Sequence, residues 1–145
     1  MRHLKTFEQS LYDKMKTSLK SKLKEGGMYL ITNSDRFKTL TKMKDIQQHK
    51  LDVEIEKYGE VYSIRGAASE KMVNIYNENL ALLAKTIEQY INGDIDSDDV
   101  KKLLDDKIKE VQGLPTLNIT DAESFKKAAI DFLTWLRSDV SVWLI

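Results

Sequence analysis

The stretch from Ala67 to Ile91, AASEKMVNIYNENLALLAKTIEQYI, constrains this chain more than any other. Met72, Ile75, Tyr76, Leu80, Leu83, Ile87, Tyr90 and Ile91 recur at spacings of three and four, which sets them along one side of a helix. No Gly or Pro interrupts the run, and most of its residues favour helix. Asn92-Gly93 supplies a stop, because Gly takes a left-handed backbone at no steric cost. A helix of this length, rising about 1.5 Å per residue, crosses a small domain. The spacing therefore predicts a central core helix over 67–91.

The chain, at 145 residues, is expected to form a single globular domain over 1–145. Its 41% hydrophobic content and its Tyr, Phe and Trp residues argue for a packed core and against disorder. There are no cysteines, which removes disulfides, thiolate zinc sites and a cysteine nucleophile, and fits a reducing compartment. The opening MRHLKTFEQSLYDKMK lacks the apolar run of a signal peptide. No stretch approaches the roughly 20 apolar residues that span a bilayer. A cytoplasmic protein with no membrane partner is expected.

Net charge is zero but unevenly spread. Residues 1–50 hold twelve Lys and Arg against five Asp and Glu, residues 51–100 hold four against eleven, and the remainder balances. The two blocks either meet inside the fold or face different partners.

From Leu4 to about Lys24, the residues Leu4, Phe7, Leu11, Met15, Leu19 and Leu23 step by three or four, with Lys5, Lys16, Lys20 and Lys24 broadly opposite. This predicts an amphipathic helix with its apolar stripe on the core and its lysines in water, ended by Gly26-Gly27. A basic helix of this kind also suits nucleic acid or a membrane surface.

Residues 28–66 read as a small antiparallel sheet. Met28–Thr32 is a short apolar run closed by the turn cluster Asn33-Ser34-Asp35. Phe37, Thr39, Thr41 and Met43 share one parity while Arg36, Lys38, Lys42 and Lys44 share the other, as in a strand. A competing helix is capped by Ser34 and spaces Phe37, Leu40, Met43 and Ile46 by three; the two threonines favour the strand. Leu51, Val53 and Ile55 alternate with Asp52, Glu54 and Glu56, and a turn at 57–60 leads to Val61–Arg65, which predicts a hairpin. Cross-strand ion pairs between the basic and acidic strands would then absorb the charge asymmetry.

Beyond the central helix, Val100, Leu103, Leu104, Ile108 and Val111 predict a further helix. Another is expected from Thr120, where Thr120-Asp-Ala-Glu123 reads as a capping box. The linker between them holds Pro115, the only proline. The expected class is thus α+β: a sheet over 28–66 packed on a long helix over 67–91, with further helices at both ends.

No chemical motif stands out. Asp94, Asp96 and Asp98 mimic the first ligands of a calcium loop, but Asp99 occupies the glycine position and Lys102 a ligand position, so helix capping is the better reading. His3 and His49 lack a second ligand at helical spacing. Gly26-Gly27 is not a phosphate loop, and no serine sits in a nucleophile elbow. No catalytic residue, metal site, cofactor or small-molecule ligand is assigned, and a non-enzymatic protein is expected.

The C-terminal stretch Phe132-Leu-Thr-Trp-Leu-Arg-Ser-Asp-Val-Ser-Val-Trp-Leu-Ile145 brings apolar bulk to a place where polar residues usually fray. Exposed, it would be a docking patch, with Phe132, Trp135, Leu136, Arg137 and Trp143 as anchors; folded back, it would seal the core. The favoured reading is a small accessory module of the adaptor, inhibitor or assembly-factor kind, binding a protein partner or a second copy of itself. The alternative is nucleic-acid binding through Lys16, Lys20, Lys24, Arg36, Lys38, Lys42 and Lys44.

Overall fold

The computed structural model describes residues 2–144, with side chains described at 11 and at 13–144. The chain forms six helices: α1 (Arg2–Thr32), α2 (Asp35–Tyr58), α3 (Ile64–Ile91), α4 (Ser97–Gln112), α5 (Thr120–Ser138) and the single turn α6 (Val140–Trp143). Among the described residues there is no strand, so the expected α+β class gives way to an all-helical bundle. No described helix is long and apolar enough to cross a membrane.

The segment expected to be sheet divides between α1, α2, the connection after α2 and the start of α3, so the expected second hairpin strand over Val61–Arg65 does not form either. Ser34 caps α2, its hydroxyl accepting from the Phe37 N–H at 3.2 Å, so the competing helix over 36–46 is the one that forms. Phe37 and Leu40 point inward, and the buried side continues to Gln47, Leu51 and Glu54 while Ile46 faces water. Thr41, which favoured a strand, is held within the helix: its hydroxyl lies 2.9 Å from the Phe37 carbonyl one turn back and 2.8 Å from the Tyr76 hydroxyl. The alternation at 51–56 misled because only Leu51 of its apolar set is buried; Val53 and Ile55 are 47% and 46% exposed. The turn at 57–60 is real but joins two helices. Gly59, at φ 77°, closes α2 in the left-handed conformation that glycine tolerates.

Gly26-Gly27 does not end α1, which runs on to Thr32. Gly27 is the point of closest approach: a Cβ there would stand 2.9 Å from the Trp143 carbonyl oxygen and 3.2 Å from Ile87 Cδ1. Absence of a side chain thus lets α1 settle on α3 and α6.

Downstream, Asp96 caps α4 in a capping box, accepting from the Asp99 N–H at 2.8 Å while the Asp99 carboxylate accepts from the Asp96 N–H at 3.0 Å. The box expected at Thr120–Glu123 does not form. Leu117 and Asn118 both take positive φ, which brings Ile119 into the cap position, and the Thr116 hydroxyl reaches toward the Glu123 carboxylate instead.

Short connections make α2–α3 and α4–α5 two antiparallel pairs, joined where α2 lies on α5. α3 touches α1, α2, α4 and α5 and carries the middle of the core, with Met72, Ile75, Tyr76, Leu83 and Ile87 buried. Phe125, Phe132, Leu133 and Leu136 of α5 face it. Each such side chain contributes about 1.5–3 kcal/mol on burial.

Candidate functional site

The C-terminal set divides sharply. Phe132, Leu136 and Trp143 are almost wholly inaccessible, and the Trp143 indole N–H donates to the Leu136 carbonyl at 3.0 Å. α6 folds the tail back onto α1, α4 and α5, so the tail closes the core. Trp135 is half-buried with the Arg36 guanidinium 5.5 Å from its ring, and Arg137 is paired with Asp105. Of the five, only Trp135 and Arg137 reach solvent, and both are engaged inside the molecule.

The basic set is likewise dispersed. Lys24 pairs with Glu88 at 3.2 Å, Arg36 with Asp131 at 3.1 Å, and Lys44 with Asp45 at 3.1 Å while lying over the Tyr76 ring. Lys20 is half-buried beside α3; Lys16 on α1 and Lys38 and Lys42 on α2 remain exposed. Among the described ion pairs, Lys24–Glu88 is the one contact between the basic block and the acidic block, since Arg36 and Lys50 pair with α5. Cross-strand pairing has no strands to act through, and the charge asymmetry persists on the surface.

A cleft of about 680 Å³ opens between α2, the start of α3, residues 117–119 and the start of α5. Several of its polar groups are occupied with one another, while the buried Glu54 Oε2 has no partner among the described residues. The Ser69 hydroxyl donates to Gln47 Oε1 at 2.7 Å, Lys50 pairs with Asp121, and Glu54 Oε1 accepts the Ser63 N–H at 2.8 Å. The Ser63 hydroxyl holds the Glu54 carboxyl below the usual range; burial opposes this, and the N–H groups of Ser63 and Tyr62 reinforce it. Glu54 is therefore a carboxylate capping α3 from a neighbouring helix, where the positive end of the helix dipole favours it. His49 is exposed and is not among the residues lining this cleft. No cluster of three or more His, Asp or Glu side chains among the described residues is placed to hold a metal.

The largest departure from the expected surface is on α1. Leu11, Met15 and Leu19 are 50%, 65% and 60% exposed, and Leu23, Tyr29 and Leu30 continue the exposed apolar side. The inward side is the opposite one. There Gly27 and Ile31 are buried, Lys24 reaches Glu88, and Thr17, Lys20 and Ser21 face the C-terminal end of α3. Residues 11 and 13–19 are exposed all round the helix, so α1 projects past the bundle there. The stripe expected to face the core therefore faces solvent. His3, Leu4, Lys5 and Phe7 lie outside the described side chains. A signal for this orientation was present: at 3.6 residues per turn Ile31 falls between Lys20 and Lys24, on the side away from Leu11 and Met15, with Leu23 and Gly27 at the border.

Comparison of the chain with protein-family models, with curated proteins and with solved structures returns no match.

Proposed function

We propose that this protein is a non-enzymatic interaction module that docks another protein through the outward apolar row of α1: Leu11, Met15, Leu19 and Leu23. The observation that carries the reading is the exposure of this row: Leu11, Met15, Leu19 and Leu23 face water, while Gly27, Ile31 and Lys24 make contacts to the bundle. Contiguous exposed apolar surface is unfavourable in a lone soluble domain and marks a docking face. The buried tail supports the same reading from the other direction: with Phe132, Leu136 and Trp143 inside, the contact surface shifts from the C-terminus to α1. Work in the cytoplasm belongs to this reading and accords with the cysteine-free composition.

A photo-reactive residue at Met15, with the same residue at exposed Lys109 on α4 as control, tests it in cells. A discrete adduct is expected from position 15, absent from position 109 and lost in Leu19→Glu. Identical adduct patterns from both positions overturn the reading. The nucleic-acid alternative retains Lys16, Lys38 and Lys42 as exposed cations, and a salt-sensitive gel shift that disappears in their alanine variants would favour it.

A further inference from the structure

Resting on the docking role of α1, we infer that the occupant of its apolar row is an acidic amphipathic helix of another protein. Leu11, Met15, Leu19 and Leu23 advance by four, one per turn, in a single file. Apolar anchors one turn apart are what helix-in-groove recognition reads. Charge selects the partner. Lys14, Lys16 and Lys22 are exposed around the row, and among the described residues none has an ion-pair partner, while Lys24, on the bundle side, is already paired with Glu88. A second copy docked row to row would oppose lysine with lysine, which repels; glutamates flanking a partner's leucines would complement all three. Gly26 falls in line with the row, and a Cβ there meets nothing within 4 Å. Bare backbone at that point, unused by the fold, allows a partner helix to approach closely.

The test is a displayed library of helical peptides selected on the full chain. Leucines are fixed at four-residue spacing and flanking positions vary among Glu, Gln and Lys. Glu-flanked peptides should bind at least about tenfold more tightly than Lys-flanked ones, because like-charge contacts are strongly unfavourable across an interface. Binding should weaken with added salt and vanish in Leu19→Glu. The triple variant Lys14→Glu, Lys16→Glu, Lys22→Glu should reverse the preference. These positions are exposed, and an unchanged helical circular dichroism spectrum verifies that each variant folds. Selected peptides that are lost in Leu19→Glu but carry neutral or basic flanks overturn the acidic partner and leave the docking reading standing. Co-sedimentation with phosphatidylglycerol vesicles, or a concentration-dependent dimer broken by Leu19→Glu, overturns it in favour of lipid or a second copy. If no selected peptide depends on Leu19, both readings fall.

Discussion

The Glu54 carboxylate occupies the space that a side chain on Gly66 would fill: a Cβ at Gly66 would stand 1.5 Å from Oε2. The N-terminus of α3 thus docks on α2 through a buried acid seated against a glycine. Ser63 ties the two together, donating its N–H to Glu54 Oε1 and accepting from the Gly66 N–H at 2.9 Å. Gly66→Ala must expel the carboxylate or part the helices, and overpacking of this kind costs about 1–3 kcal/mol. Urea unfolding should show that loss. The pair Gly66→Ala with Glu54→Ala should lose less than the sum of the two single variants, since each removes the other's obstacle. Additive losses would refute the contact.

Glu54 also gives stability a pH signature. Its folded carboxyl lies below the ordinary value of 4.5, so folding favours the ionised form. The contribution is complete above the ordinary value and is lost as pH falls through the lower folded value. Wild type should therefore be more stable than Glu54→Gln at neutral pH, and the difference should close in the acid window below pH 4.5. Paired thermal melts from pH 7 to pH 2.5 measure it; a gap that widens on acidification would contradict the assignment.

Gly26 and Gly27, adjacent in sequence, should respond oppositely. Nothing lies within 4 Å of a Cβ at Gly26, so Gly26→Ala should stabilise α1 by about 0.5–1 kcal/mol through helix propensity alone. Gly27→Ala meets the Trp143 carbonyl oxygen, a backbone atom that cannot rotate away, and should destabilise. Urea titrations of the two variants decide the matter; a gain for both would mean that α6 does not sit where described.

Asn79 is buried in α3 with neither its amide nitrogen nor its carbonyl oxygen hydrogen-bonded to another group. An unsatisfied buried polar group costs about 1–3 kcal/mol. Asn79→Leu, which removes both orphaned atoms, should raise the urea midpoint. A fall in the midpoint would show that the amide has a partner within the core.

How much of this was legible in the sequence depended on which residues carried the signal. The run Met72–Ile91 announced α3 because its apolar spacing, uninterrupted by Gly or Pro, admits only one period. The role of Asp96 was legible from its place before an apolar periodic segment. By contrast, 51–56 offered perfect alternation although two of its three apolar residues face water, and the residue that turns inward beside Leu51 is an acid with a capping duty. Local period cannot reveal that a glutamate is buried alongside Leu51. Gly26-Gly27 read as a break because the reason for Gly27 lies in residues 87 and 143, far along the chain. The docking row was visible as a row, but which way it faced depended on what lay opposite it.

α3 leans on four other helices at once. No antiparallel pair can therefore peel off and leave the remainder intact, because each shares this one strut. Amide protons midway along α3 should escape to solvent only when the entire bundle opens, and their exchange should set the ceiling for every other amide in the molecule. The projecting end of α1, exposed at Leu11 and from Asp13 to Leu19, should exchange far faster than the bundle. One polypeptide thus joins its most tightly locked element to its most available one within a single cooperative unit.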